Sequence, residues 1–303
     1  METLTVSATD PAAGPGPQAR GFAGSSRQIT VTKHHGLGND FLIALEPKRA
    51  LEATDAIAWC DRRRGIGADG LIMAECLAED LWSMTLWNSD GSRPEVSGNG
   101  LRCLGQALAM NLGISDRHSF TVRTDGGTRS VEVEPDRRSG MARVRVDMGP
   151  ANDSPPVFGG WADLGVAVER QLGVDIGNPH VVALVDDASS YDPRIVGPQV
   201  ESSYSGGINV HLIDIQDRDT IRLVVWERGA GYTEACGSGA CAAAWAAHRW
   251  GLVDAAVNVV MPGGSALVEI ASADLGSETT ATPTDTVYLT GPAAYVGTVL
   301  LNA

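Results

Sequence analysis

A single offset relates the two halves of this 303-residue chain and limits its fold more than any other feature. Trp87 to Gly100 reads WNSDGSRPEVSGNG, and Trp226 to Gly239 reads WERGAGYTEACGSG. The two tryptophans lie 139 positions apart, as do Glu95 and Glu234, Ser97 and Cys236, and the dipeptides Gly38-Asn39 and Gly177-Asn178. One spacing kept over about sixty residues in each half implies an internal duplication. Two copies are too few, and the period too long, for a solenoid. The expectation is two homologous domains facing each other with a site between them.

Local patterning agrees with a duplication. Met84–Trp87 and Leu223–Trp226 are rich in large or β-branched side chains and predict strands. A glycine-rich loop and a helix follow each. The first helix is predicted from about Asn99 to Asn111, with Leu101, Leu104 and Leu108 on one face and Gly113 as terminator. The second is predicted from about Ser238 to Trp250; it is apolar on almost every side, which predicts burial all round. Short strands are predicted over Ile29–Thr32, Phe41–Leu45, Arg143–Val146, His180–Val185, Ile208–Ile215, Val287–Leu289 and Tyr295–Leu300. The fold class expected is α+β: two pseudo-symmetric domains, each a β-barrel-like mixed or antiparallel sheet around a central helix. The expected divisions are a disordered tail over 1–28, an N-terminal half of 29–140 plus 290–303, and a C-terminal half over 141–289.

Composition removes several classes of function. Thirty-seven acidic against 23 basic residues leave a charge of −14, the wrong sign for a nucleic-acid binder. No apolar run is long enough to span a bilayer, so no membrane partner is expected. Only two lysines occur, Lys33 and Lys48, neither beside a glycine-rich phosphate cup, which argues against a pyridoxal-phosphate enzyme. The five cysteines, an odd number without a preceding apolar secretory segment, fit reduced thiols and a cytoplasmic protein. There is no C-x-x-C or H-E-x-x-H, so no metal is expected.

Ser97 and Cys236 each precede a predicted helix and are followed by Gly-x-Gly. A helix start offers unpaired N–H groups and a positive dipole end, which suit a carboxylate. The same setting lowers a thiol pKa, so Cys236 is expected to be a ready thiolate or proton donor. Cys60, Cys76, Cys103 and Cys241 are expected to be core residues. Two proton-handling groups on opposite faces of one carbon permit inversion of a stereocentre, with the helix dipoles stabilising the enediolate.

At these residues the chain resembles the diaminopimelate epimerase family. The resemblance rests on HGLGNDF (His35 to Phe41), RRRGIGADGLI (Arg62 to Ile72), NSDGS (Asn88 to Ser92), GNG (Gly98 to Gly100), GNPH (Gly177 to His180), WERG (Trp226 to Gly229) and ACGSGACAAA (Ala235 to Ala244). It implies a cofactor-independent epimerase that interconverts LL- and meso-diaminopimelate on the route to lysine and cell wall, working as a homodimer. It places the substrate α-carboxylate at the backbone of Gly98-Asn99 and Gly237-Ser238, and Asn39, Asn88, Asn178 and Asn209 at the other end. Arg228 pairs with the distal carboxylate. Glu227 takes the ammonium or joins His180 in acid–base work. From the residues alone, His180 reads equally as a structural hydrogen-bonding histidine, Asn39 and Asn178 as turn residues, and Arg62 to Arg64 as a solvated loop.

One position departs from the family pattern: Ser97 stands where a cysteine is expected. A hydroxyl is a far weaker acid than a thiol, so abstraction by it is slow without help. Three explanations stand: a natural variant with compensating neighbours, an engineered substitution that holds substrate without turnover, or a homologue with lost or altered activity. A racemase of another amino acid is the further alternative, against which Arg228 argues.

Overall fold

The computed structural model describes residues 5–7, 28–94, 97–136, 139–272 and 285–302. The chain divides into two compact units, Met1–Arg145 with Pro292–Ala303, and Val146–Gly291.

The first unit contains β1 (Thr5–Ser7), β2 (Gln28–Gly36), β3 (Asn39–Leu45), α1 (Ala53–Cys60), β4 (Gly70–Ala78), β5 (Leu81–Asn88), α2 (Gly98–Leu112), β6 (His118–Thr124) and β7 (Gly127–Asp136). It shares β8 (Met141–Pro150) and, near the C-terminus, β16 (Thr286–Asn302) with the second unit. Strand order runs β2-β3-β4-β5-β6-β7-β8-β16, and β16 pairs back onto β2 to close a barrel of eight strands. Closure leaves little unpaired edge. Inside lies α2, buried from Gly98 through Ala109 and ended by Gly113 in the left-handed region at φ 69°. Val31, Leu42, Leu71 and Trp87 pack with α1 in a second apolar cluster.

The disordered reading of the tail over 1–28 falls mostly outside the described residues. Within it, Thr5–Ser7 pair antiparallel with Thr298–Leu300. The alternating Thr-Val-Ser suits a strand, and β16 offers hydrogen-bonding groups on the side away from β2.

The second unit contains β9 (Asn152–Asp153), β10 (Arg170–Asp175), β11 (Pro179–Leu184), α3 (Pro193–Ser202), β12 (Asn209–Asp217), β13 (Thr220–Trp226), α4 (Gly237–Arg249), β14 (Ala256–Met261) and β15 (Gly264–Ala271). Its sheet runs β16-β15-β14-β13-β12-β11-β10-β9. α4 is buried at every position from Gly237 to Ala247. Its run of alanines lets the surrounding strands approach on all sides without large gaps.

The 139-residue offset survives as strand register. The parallel pair β3–β4 sets Phe41 opposite Gly70, and β11–β12 sets His180 opposite Asn209, each partner 139 later. Leu71 faces Trp87 across β4–β5, and Val210 faces Trp226 across β12–β13. Gly38 and Gly177 occupy matched turns, both in the left-handed region at φ 89° and 86°. The asparagine after each glycine is thereby delivered to the start of a strand.

Candidate active site

In the second unit, β13 ends at Trp226, and the next residues form a tight turn in which Glu227 and Gly231 exchange backbone hydrogen bonds of 2.7 and 2.8 Å. This turn sets Glu227 near the start of α4. Cys236 is the cap of that helix: its backbone is extended, and its Sγ accepts from the Gly239 N–H at 3.3 Å. The side chain is only 2% exposed. Burial pushes the thiol well above its ordinary range, and the negative charge of the neighbouring Glu227 carboxylate pushes it further. Hydrogen bonds from Ser238 and Gly239 pull the other way without prevailing. This corrects the expectation of a thiol acidified by its helix start. Desolvation of the thiolate outweighs what the helix start supplies.

Thr233 Oγ1 donates to Glu227 Oε1 and holds that carboxylate. Asn209, buried at the start of β12, donates from Nδ2 to Pro179 O at 2.8 Å and accepts at Oδ1 from the Arg228 N–H at 3.0 Å. Its amide therefore fixes the backbone of the turn that carries Arg228. Asn178 donates from Nδ2 to Ser238 Oγ at 3.4 Å, and its Oδ1 lies 2.8 Å from His180 Nε2.

The first unit repeats this plan with other side chains. Ser97 caps α2 with an extended backbone, and its Oγ accepts from the Gly100 N–H at 3.0 Å. Asn99 donates from Nδ2 to Asn39 Oδ1 at 3.0 Å, the counterpart of the Asn178–Ser238 bond. Asn39 in turn donates to Asp69 Oδ2 at 2.8 Å. Asn88, the counterpart of Glu227, donates to Ser92 Oγ at 3.0 Å. A small cavity beside Ser97 is lined by Met84, Leu86, Pro94 and Leu101. Where the second unit sets a carboxylate beside a thiol, the first unit carries an amide in the corresponding position.

Arg62 to Arg64 lie in an exposed turn, in line with the solvated-loop reading, and Arg62 also ties that turn to the strands. Its guanidinium pairs with Asp40 at 2.6 Å and Asp69 at 2.7 Å, while Lys33 reaches Asp40 at 2.8 Å and Gly67 O at 2.6 Å. Burial pushes the Asp40 carboxyl up, but hydrogen bonds from Arg62 and Lys33 win and hold it below the usual range. This ionic cluster anchors Asp69, and through it Asn39. Cys60, Cys103 and Cys241 are buried as expected; Cys76 is exposed near the end of β4, where the strand runs out of its buried face.

Asp69, Thr233, Arg102 and His211 also support the site. Asp69 lies inside the RRRGIGADGLI motif, so the sequence carries a signal for it, and no motif singles out the other three. Arg102 sits one turn after Asn99 in α2, is fully buried, and donates to Asn99 Oδ1 and to Pro292 O. Among the described residues no group of three or more His, Cys, Asp or Glu side chains is arranged to hold a metal ion, and no helix is long and apolar enough to cross a membrane.

Three buried histidines make the fold acid-sensitive. Burial lowers His34 to about 4 and His211 to about 3, and holds His180 well below its ordinary 6.5. In the unfolded chain these imidazoles protonate near 6.5. Between that value and their folded pKa the unfolded state binds more protons, so their contribution is complete above about pH 6.5 and is lost as pH falls toward 3–4. Each histidine removes at most about 1.4 kcal/mol per pH unit. Urea midpoints measured from pH 7 to 4.5 are expected to decline steadily; a flat profile contradicts the buried neutral imidazoles.

The diaminopimelate epimerase family model matches residues 31–153 and 173–296. Diaminopimelate epimerase 1 of Nostoc sp. is 35% identical over 297 residues, covering 89% of this chain and 98% of its own. The diaminopimelate epimerase of Stutzerimonas stutzeri is 35% identical over 290 residues, covering 88% and 97%. Among solved structures, a PhzF-family phenazine biosynthesis protein of Bacillus anthracis superposes with a TM-score of 0.69 at 15% identity, covering 90% of this chain and 99% of that one. A probable proline racemase of Agrobacterium radiobacter superposes with a TM-score of 0.64 at 16% identity, covering 89% and 92%. These two share the fold. The repeated family match and the curated relatives establish that this chain belongs to the diaminopimelate epimerase family and is an enzyme of the isomerase class.

Proposed function

We propose that the chain interconverts LL- and meso-2,6-diaminopimelate by proton transfer at one α-carbon, without a cofactor. The observation that carries this reading is the Cys236 thiol that caps α4, with the Glu227 carboxylate beside it held by Thr233. A thiol so buried is too weak an acid to ionise alone near neutral pH. Glu227 accepts its proton, and the thiolate removes the substrate α-hydrogen as a proton. The electron pair left on carbon delocalises into the α-carboxylate, whose charge is met by N–H groups at Gly98-Asn99 and Gly237-Ser238. Ser97 serves the opposite face: its hydroxyl delivers a proton and regains one from water. Arg228 pairs with the distal carboxylate, Asn39, Asn88 and Asn178 bind the rest of the molecule, and Asn209 acts by fixing Arg228. His180 stays neutral and orients Asn178. The same reading carries a cytoplasmic homodimer acting in lysine and peptidoglycan precursor synthesis.

Incubation with LL-diaminopimelate in heavy water tests it. Deuterium at one α-carbon together with meso product is expected, slowly in the chain as it stands. Ser97→Cys is expected to accelerate both by about a hundredfold, because a thiol replaces a much weaker acid at the second proton-transfer position. If neither protein exchanges hydrogen, the reading is wrong.

A further inference from the structure

His211 lies in β12 within NVHLID, a stretch that is buried throughout. Its Nε2 is 2.8 Å from His180 Nδ1, and the two rings stack with centroids 5.0 Å apart and planes 27° from parallel. His180 Nε2 is 2.8 Å from Asn178 Oδ1, Asn178 Nδ2 is 3.4 Å from Ser238 Oγ, and Ser238 Oγ is 3.6 Å from Cys236 Sγ. The contacts form one unbranched line from His211 to the cysteine.

We infer that His211 is a positioning residue for Cys236: it sets the direction of this line, so that the line ends in a hydroxyl donated to the cysteine sulfur. The inference rests on the proposed role of Cys236 and names a residue which that role did not require.

The direction follows from proton counting. Both rings are fully buried, which disfavours imidazolium in each, so each carries one N–H. Among the described residues, His211 Nδ1 is buried and has no hydrogen-bond partner. If the line ran from cysteine to histidine, the His211 proton would sit on Nδ1 and be a buried donor with nothing to accept it. Orphaned buried N–H groups are the rarer and costlier defect. In the opposite direction His211 Nε2–H donates to His180 Nδ1, and His180 Nε2–H donates to Asn178 Oδ1. Asn178 Nδ2–H donates to Ser238 Oγ, which frees the Ser238 hydroxyl to donate to Sγ. Only a bare lone pair is then left at the far end. A hydroxyl and the Gly239 N–H together give a developing thiolate two donors.

Two further observations agree. The His211 ring lies against Gly239, where an added Cβ would stand 2.4 Å from Cε1, so the ring also backs the residue whose N–H reaches the sulfur. In the first unit, the positions 139 earlier than His180 and His211 are Phe41 and Ile72, and the cap they accompany is Ser97. Neither of these positions offers a ring nitrogen to such a line.

Nitrogen-15 correlation spectra of the imidazoles in the unaltered protein at neutral pH test the direction without reference to any activity. His211 is expected to carry its proton on Nε2 with Nδ1 bare, and His180 to carry its proton on Nε2. A proton on His211 Nδ1, or an imidazolium at either residue, overturns the inference. His211→Phe keeps the volume and removes the donor; His211→Gln keeps an N–H donor at a similar reach. In heavy-water epimerisation His211→Phe is expected to lose about tenfold in kcat with little change in KM, and His211→Gln to recover most of it. Equal losses in the two variants overturn the positioning role. If the unaltered protein does not epimerise diaminopimelate at all, the proposed function fails. The relay is then judged by the spectra alone, with His180 expected to lose its Nε2 proton preference in His211→Phe and to keep it in His211→Gln. If His211→Phe does not fold, the spectra of the unaltered protein decide.

Discussion

Replacing Cys236 with alanine is expected to lower α-hydrogen exchange from diaminopimelate about a thousandfold, the scale of losing a positioned acid–base group. Two contributions are separable, because the same sulfur also caps α4. Cys236→Ala removes both the acid–base group and the cap acceptor. Cys236→Ser keeps an oxygen to accept from Gly239 but offers a much weaker acid. The two variants are therefore expected to be about equally inactive, while the serine form is about 1 kcal/mol more stable than the alanine form. Exchange in heavy water and urea denaturation read the two effects independently. Substantial exchange in Cys236→Ala would remove the thiol from the reaction altogether.

Arg102→Leu is expected to cost the fold about 3 kcal/mol. The guanidinium is fully buried in α2 and donates to Pro292 O at 2.9 Å and to Asn99 Oδ1. Leucine fills part of the volume and donates nothing, so a carbonyl and an amide oxygen lose their donor at once. Asn99 is then free to turn its amide, and with it the Asn39 side chain that it holds. A drop in the urea midpoint is expected even without substrate. A loss below about 1 kcal/mol would mean that these oxygens find other partners and that Arg102 is dispensable to the Asn99–Asn39 pair.

Reading the chain against itself located both caps, both strands that lead to them and both turn asparagines, because duplication preserves spacing after the side chains have drifted. The same comparison had less to say about what surrounds those positions. The barrel around a central helix is as expected, but the spacing of Leu101, Leu104 and Leu108 does not itself tell that Arg102 and Gln106 are buried with the leucines. The Arg62 cluster draws its members from β2, β3 and the loop before β4, and its charges look like surface charges until the strands bring them together. α1 and α3 were passed over for local reasons: α1 has eight residues, and α3 carries prolines at its start and at Pro198. The acidity of Cys236 depends on a competition. A helix start is visible in sequence, whereas the degree of desolvation is a property of the packed unit.

The path of β16 bears on the order of assembly during synthesis. Val146–Gly291 is continuous in the chain and has all its strands once β16 has begun. The ring around α2, by contrast, waits for Ala294–Asn302 to reach β2. The unit that holds β2 is thus completed after the one that follows it in the chain, and the long flank of β2 stays open to stray pairing until Ala294–Asn302 are made.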